Sequence, residues 1–208
     1  MRFPLASKFT ISLIAFIFAA LLLLLVFFIT RPREDVPSPG PAPAPTRGAW
    51  DGNVFISEYL GLEMALPDSA WRALNDGEIG RLQSAAGIVT DFYLHNEKTA
   101  ASIELTFKRM PRDAGEYSLR EHLEHCGEIE KTQAAELGLE SSFEIIGTTE
   151  IAGTLWLTKR AEFAVPGFPP VVTFHLTSRE GDYIRCFKFV VDDDDEFLEI
   201  LLWFSRFE

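Results

Sequence analysis

The sequence lacks the short motifs that mark the common enzyme classes. It has no Gly-x-Ser-x-Gly nucleophile elbow, no phosphate-binding loop and no glycine-rich dinucleotide fingerprint. The His-Glu-x-x-His spacing of zinc-dependent hydrolases is missing as well. Catalytic residues can be dispersed, so these absences do not exclude an enzyme, but they favour a non-enzymatic function. The sequence therefore predicts no catalytic residue and no cofactor.

Basic residues are also scarce, with 19 Lys and Arg against 31 Asp and Glu. The first fifty residues hold five of the basic and two of the acidic residues, which leaves residues 51–208 with a formal charge of −15. Nucleic acids and anionic lipid headgroups are bound largely through basic side chains. This composition therefore predicts that the chain does not bind nucleic acid. A cationic partner or a divalent ion remains compatible with it.

Long uncharged runs are absent except for one, the 21 residues Phe9–Ile29. As a helix this run is about 31 Å long, enough to cross the hydrocarbon core of a bilayer. It exceeds the apolar core of a signal peptide, and no Ala-x-Ala cleavage pattern follows it. No cysteine follows it closely, which excludes a lipoprotein anchor. We therefore predict a retained transmembrane helix over residues 9–29, through which the chain contacts the lipid bilayer.

Basic residues flank this helix on both sides. Arg2 and Lys8 precede it together with the terminal amine, whereas Arg31 and Arg33 follow it. Since positive charge collects on the cytoplasmic side, we predict a short cytoplasmic segment over residues 1–8 and an extracytoplasmic C-terminal domain at the cell membrane. Residues 30–50 form a Pro-rich linker. Its eleven residues Val36–Thr46 span about 34 Å as a polyproline II spacer.

Residues 51–208 have the length of one domain and show alternating helix and strand periodicity. Ser118 and Glu121 form a capping-box pattern at the start of a long helix that Gly138 ends, and Asp76 is the expected N-cap of a shorter helix. Placed at 100° intervals, one face of the long helix is apolar, consisting of Leu119, Leu123, Cys126, Ala134 and Leu137. The predicted strands are Val54–Ser57, Leu62–Leu66, Ile88–His95, Ala101–Arg109, Phe143–Ile151, Thr154–Val165, Val171–Arg179 and Tyr183–Val191.

A terminal helix is predicted after the acidic run Asp192–Glu196 and extends through Phe204. The predicted order is ββαββαββββα with mostly short connections. This order predicts an α+β domain, namely an antiparallel β-sheet with helices on both faces, preceded by the one transmembrane helix.

The stretch Glu58–Pro67, followed by the aromatic Trp71, resembles the opening of PsbP-like domains. The resemblance covers about residues 53–208 and includes the strand near residue 88, the long middle helix and the closing strand and helix. It implies an α/β/α sandwich. The family consists mainly of assembly and binding modules, including the extrinsic PsbP subunit of photosystem II, and it has no shared catalytic residues to carry over.

The segment around His122, His125 and Cys126 carries nitrogen and sulfur groups suited to zinc. A fourth ligand such as His175 is distant in sequence, and Cys126 lies on the apolar face of the helix, about 100° from His125. We therefore predict no metal site here. The pattern favours a solvated helix face with one buried thiol.

Cys126 and Cys186 are the two cysteines of the chain. In an extracytoplasmic domain a disulfide between them would tie the long helix to a strand. The alternative is two separate buried thiols that behave as small apolar groups. The sequence leaves both open.

Two further features concern ions and partners. The run Asp192–Glu196 lacks the spaced Asp and Gly pattern of a calcium loop and favours capping of the terminal helix. Phe168 lies in a Pro-rich loop, where an exposed aromatic ring would anchor a partner protein. The sequence favours the alternative that this ring folds back over the sheet edge.

Together these features predict a membrane-tethered, extracytoplasmic protein-binding or accessory domain that is not an enzyme. The alternative is a ligand- or cation-sensing extracytoplasmic domain that uses its acidic surface.

Overall fold

The structure is a computed structural model that describes residues 44–82, 88–110 and 118–207. Strands outweigh helices, at 51% against 21%. The elements within these ranges are, in order, β1 (Ala49–Asp51), β2 (Val54–Ser57), β3 (Leu62–Ala65), β4 (Trp71–Ala73), α1 (Asp76–Leu82), β5 (Ile88–Asn96), β6 (Ser102–Arg109), α2 (Leu119–Glu136), β7 (Glu140–Ile151), β8 (Thr154–Ala164), β9 (Val171–Glu180), β10 (Tyr183–Val191), α3 (Asp194–Leu201) and β11 (Phe204–Arg206).

The strands form two antiparallel sheets. The larger has seven strands in the order β4-β5-β6-β10-β9-β8-β7, and the smaller has four in the order β1-β2-β3-β11. Most neighbours in the large sheet are consecutive in sequence. The exception is β10, which lies between β6 and β9 and so joins the first half of the sheet to the second.

The predicted single sheet with helices on both faces is wrong. The predicted strands that became β2 and β3 do not join the large sheet, because β1 and β11 pair with them instead. Strand β11 begins at Phe204, the last residue of the predicted terminal helix. A continuous run of apolar residues before Phe204 is compatible with a helix or with a strand. The helix ends at its C-cap Leu202. Much of the space predicted for helices is therefore occupied by a second sheet.

The core between the two sheets is strongly aromatic. Phe55 of the small sheet meets Phe92 of the large sheet with ring centroids 4.7 Å apart, and Phe204 of β11 meets Phe187 at 5.4 Å. All four rings are buried. Edge-to-face pairs of this kind contribute about 0.5–1.5 kcal/mol each beyond the area they bury. The closing strand β11 is thereby fixed to the apolar face of the large sheet.

Helix α2 confirms its predicted ends. Ser118 Oγ accepts a hydrogen bond from Glu121 N, and a Glu121 carboxylate oxygen accepts one from Ser118 N. Past its C-terminus Gly138 adopts φ +72°, the left-handed conformation that glycine tolerates best. The predicted buried face is partly wrong, since Leu137 is 76% exposed whereas His122 is buried.

Helix α1 differs from its prediction at its cap. It is described from Asp76 to Leu82, and residues 83–87 lie outside the described ranges. The cap is Asn75, whose Oδ1 accepts hydrogen bonds from Gly77 N and Glu78 N. Asp76, the predicted cap, instead forms a 2.8 Å ion pair with Arg47.

The predicted transmembrane helix, residues 9–29, lies outside the described residues, as does most of the predicted linker. Among the helices that are described, none has the length and apolar character needed to cross a membrane. The end of the linker contacts the fold directly. Gly48 N donates a 2.7 Å hydrogen bond to Asp91, whose backbone carbonyl accepts another from Arg47.

Replacing Gly127 by alanine is expected to destabilise the fold. A Cβ at this position would lie 2.7 Å from ring atoms of Phe143, where α2 crosses β7. Overpacking costs about 1–3 kcal/mol, against a gain of roughly 1 kcal/mol from the better helix propensity of alanine. We expect a net loss of about 1 kcal/mol in the free energy of unfolding. Urea unfolding of the full chain in detergent micelles, followed by tryptophan fluorescence, measures it.

The matched control is Gly80→Ala in α1, where a Cβ meets no atom within 4 Å. It should leave stability unchanged or raise it by up to about 1 kcal/mol. Equal effects of the two substitutions would show that α2 does not approach β7 this closely.

Candidate functional site

Helix α2 and the large sheet enclose a group of polar side chains, here called the α2 cluster. His122, Cys126 and Glu130 are spaced four residues apart and so share one face of the helix. The sheet contributes one residue from each of three adjacent strands. The cluster comprises His122, Cys126, Glu130, Lys159, His175 and Cys186.

The strands bring their members of the cluster together through register. Lys159 of β8 pairs with His175 of β9, and Thr177, two residues further along β9, pairs with Cys186 of β10. Because alternate residues face the same side of a sheet, Lys159, His175 and Cys186 all point away from the aromatic core. They lie on the face that α2 covers.

One half of the cluster is charged. Glu130 Oε2 lies 2.6 Å from Lys159 Nζ, and Glu130 Oε1 lies 2.9 Å from His175 Nε2. The Lys159 side chain is fully buried and that of Glu130 is 17% exposed. Burial raises the pKa of the Glu130 carboxyl, but His175 and Lys159 outweigh it and lower this pKa to about 2. Burial likewise holds the pKa of His175 below its usual value despite the neighbouring carboxylate.

The other half of the cluster consists of His122 and the two thiols. His122 Nε2 lies 3.8 Å from Cys126 Sγ and 3.8 Å from Cys186 Sγ. Burial raises the pKa of Cys126, and it raises that of Cys186 to about 12. Burial, followed by the charge of Lys108, lowers the pKa of His122 to about 4. At neutral pH the thiols are therefore protonated and the imidazole is neutral, the opposite of an activated cysteine–histidine pair.

The structure therefore brings Cys126 and Cys186 to the same nitrogen of one imidazole, as free thiols. The disulfide stays one of the two alternatives that the sequence leaves open. His125 is exposed and takes no part in the cluster. Within the described ranges, no three His, Cys, Asp or Glu side chains are arranged to hold a metal ion.

The acidic run caps α3, as predicted. Asp193 Oδ1 accepts a hydrogen bond from Glu196 N, and Glu196 in turn accepts one from Asp192 N. Asp194 forms a 2.8 Å ion pair with Arg160 of β8. Several of its carboxylates are thus used within the fold.

A second feature, here called the α3 groove, lies on the opposite face of the large sheet. It separates α3 from the outer strands and has a volume of about 570 Å³. Leu198 and Ile146 face it from the two sides, with 57% and 49% of their surface exposed. Its remaining lining is Glu144, Thr148, Thr149, Arg160, Phe174, Asp194, Phe197 and Leu201.

The groove arises because the small sheet and α3 leave the edge of the large sheet uncovered. Strand β7 has twelve residues and ends the strand order, whereas α3 has only eight. Phe197 of α3 stacks on Phe174 of β9 with centroids 3.8 Å apart, which fixes the helix above the inner strands. Apolar side chains beyond that stack remain open to solvent.

Phe168, a possible partner contact for which the sequence favours a folded-back ring, lies in the β8–β9 loop. Gly167 adopts φ +81°, and Phe168 N donates a 3.0 Å hydrogen bond to Val165 O, so the loop forms a tight turn. The Phe168 side chain is 73% exposed and does not fold back over the sheet edge. Its role as a partner contact stays a prediction.

Sequence reasoning missed the charged half of the cluster. Leu157, Lys159 and Ala161 occupy alternating positions of β8 and so share one face of the strand. The sequence therefore placed a lysine on a face whose neighbouring residues are apolar. Glu130 follows Cys126 by four residues on the helix. Both signals were present in the sequence, but only the fold shows that they meet.

Comparison with solved structures confirms the predicted resemblance to PsbP-like domains. The solution structure of cyanobacterial PsbP (CyanoP) from Synechocystis sp. PCC 6803 matches 82% of this chain and 98% of its own, at 13% identity and a TM-score of 0.45. A crystal structure of a protein from Bacteroides thetaiotaomicron VPI-5482 matches 74% of this chain and 48% of its own, at 15% identity and a TM-score of 0.40.

These structural likenesses are distant and carry no information about function, partner or site. No family model matches the chain, and neither does any curated protein.

Removing Glu130 is expected to be costly because it leaves the buried Lys159 ammonium without its carboxylate. For Glu130→Leu we expect a loss of about 3 kcal/mol in the free energy of unfolding, at the low end of the range for broken buried pairs. The double variant Glu130→Leu/Lys159→Met removes both charges and should recover most of that loss. A double-mutant cycle by urea unfolding measures the coupling, and no recovery would contradict the buried pair.

The same carboxylate should contribute to acid unfolding. Its pKa is lowered from 4.5 to about 2 in the folded chain, so its stabilisation is complete above pH 4.5 and is lost as the pH falls through 2. The Glu130→Leu variant should lack this part of the pH dependence. An unchanged profile between pH 4.5 and 2 would count against the ion pair.

The two thiols are expected to react slowly while the chain is folded. Their raised pKa values reduce the thiolate fraction, so maleimide labelling at pH 7.5 should be at least ~10-fold slower than for a free cysteine. After unfolding without reductant, intact mass should show two adducts. No adduct until reductant is added would instead establish the Cys126–Cys186 disulfide.

Proposed function

We propose that this chain is a membrane-tethered accessory domain that binds a protein partner outside the cytoplasm, and that the α3 groove is its contact surface. The proposal rests chiefly on one observation, the exposed apolar side chains around α3. Leu198 and Ile146 line the groove, and Leu202, next to its lining residue Leu201, is 84% exposed. Contiguous exposed apolar surface of this kind marks interaction sites on soluble domains.

The chemistry of the α2 cluster supports a binding function over a catalytic one. Its thiols are protonated and its imidazole is neutral at neutral pH, which leaves no activated nucleophile among these residues. Its two charged groups, Glu130 and Lys159, pair with one another at 2.6 Å. The cluster then serves to hold α2 on the sheet.

The tether is proposed from the sequence alone. A helix over residues 9–29 would anchor the chain, and a proline-rich spacer of about 34 Å would hold the domain clear of the headgroups. Cation sensing, the alternative from the sequence, finds no supporting arrangement among the described residues, since the acidic run caps α3 and pairs with Arg160.

Crosslinking in intact membranes tests the proposal. Formaldehyde, which crosses membranes and reaches groups on both sides, is applied to cells expressing the full chain, and recovered proteins are compared with those from a chain ending at residue 50. We expect one partner with the full chain only. Leu198→Lys should reduce its recovery at least ~10-fold, because a charge in an apolar contact costs more than 1.4 kcal/mol.

The matched control is Leu137→Lys, which places the same charge on the exposed leucine that caps the C-terminus of α2, outside the groove. It should leave recovery unchanged. The same proteins recovered from the chain ending at residue 50, or equal losses for both lysine variants, would overturn the proposal.

A further inference from the structure

The lining of the α3 groove carries one positive group, and that group is already paired. Arg160 lies 2.8 Å from Asp194 and 3.1 Å from Glu162, and its hydrogen bond with Asp194 raises its pKa above the usual value. Glu144 is exposed on β7 and forms no ion pair with any described residue. Among the described lining residues, the charge left for a partner is therefore negative.

The surroundings of the groove have the same sign. Asp192, Asp195 and Glu199 are exposed, the first two at the start of α3 and the third on its surface. Residues 51–208 together carry a formal charge of −15. A second copy of this chain would bring the same excess of negative charge to the contact, so charge complementarity favours a positively charged occupant.

The dimensions of the groove favour an extended occupant. Its β7 side runs from Glu144 to Thr149, about 17 Å at the rise of a strand. Its α3 side runs from Asp194 to Leu201, about 10 Å at the rise of a helix. These lengths match three to five extended residues, whose alternate side chains point to opposite sides.

We infer that the α3 groove takes an extended segment of the partner in which apolar residues alternate with lysine or arginine. The apolar side chains enter the groove between Leu198 and Ile146, and a basic side chain outside the groove pairs with the exposed Glu144. The inference rests on the proposed function and adds the chemistry of the partner.

Fluorescence anisotropy with synthetic peptides tests it on the full chain in detergent micelles. The probe is a labelled peptide of sequence Lys-Leu-Lys-Val-Lys-Leu with blocked ends, and the matched peptide has glutamate at each lysine. We expect the lysine peptide to bind at least tenfold more tightly than the glutamate peptide. Equal binding of the two peptides would overturn the inference.

Substitutions separate contact at the groove from general attraction to an acidic protein. Glu144→Lys should weaken binding of the lysine peptide about fivefold, whereas Glu136→Lys, the same charge reversal on exposed α2, should leave it unchanged. Leu198→Lys should also weaken it, and Leu137→Lys should not. Equal losses for Glu144→Lys and Glu136→Lys would overturn the inference.

Two other occupants are outcomes of the same experiment. If the full chain self-associates in light scattering and Glu144→Lys or Leu198→Lys abolishes this, the occupant is a second copy. If Arg31→Glu/Arg33→Glu raises peptide affinity tenfold, the occupant is the chain's own linker. Either result overturns the inference. If recovery of a crosslinked partner depends on Leu198 and both peptides bind equally, the proposed function stands. Only the positive charge inferred for the partner segment is then rejected.

Discussion

The two faces of the seven-stranded sheet have opposite character, and the rest of the fold depends on this difference. Along β6 and β10, most residues of one face are aromatic or aliphatic, such as Leu105 and Phe187, and most of those of the other are polar, such as Thr106 and Cys186. The apolar face binds the small sheet and α3 through rings. The polar face is covered in part by α2, which must therefore supply a carboxylate for Lys159 and a ring for the thiols.

This division gives the two faces different roles. Side chains buried under α2 are held by mutual hydrogen bonds and ion pairs, so changes there alter stability first. The apolar face is covered incompletely, since β7 and β8 extend past the short helix α3 that packs on it. The same sheet thus produces a closed polar interior on one side and an open apolar groove on the other, with no change in the pairing of its strands.

Much of the local structure could be predicted from the sequence, because its causes are local. The capping box at Ser118 and the caps of α3 depend on residues within four positions of one another. The predicted strands Ala101–Arg109 and Tyr183–Val191, which became β6 and β10, likewise depend on patterns within short windows. The cap of α1 was assigned one residue late, because Asp76 and Asn75 are both good caps and only the hydrogen bonds distinguish them.

The assignment of strands to sheets could not be predicted, since it depends on pairing over long separations. Strand β11 reads as the last turn of a helix until β3 is known to pair with it. The α2 cluster could not be predicted for the same reason. Glu130 and Lys159 are 29 residues apart, and neither residue indicates by itself that it is part of a buried ion pair. Periodicity gives the face on which a residue lies, and it does not give the element that covers that face.

The pairing of β3 with β11 has a consequence for biosynthesis. Ser205 donates a 2.9 Å hydrogen bond to Glu63 across 142 residues of chain. While residues 66–203 are being made, the β2–β3 hairpin has one edge without its neighbour and lacks Phe204 from its core. Contacts of such separation form late in folding. The small sheet therefore cannot be completed until Phe204–Arg206 has been made, and the half-built hairpin must be kept from pairing with other strands until then.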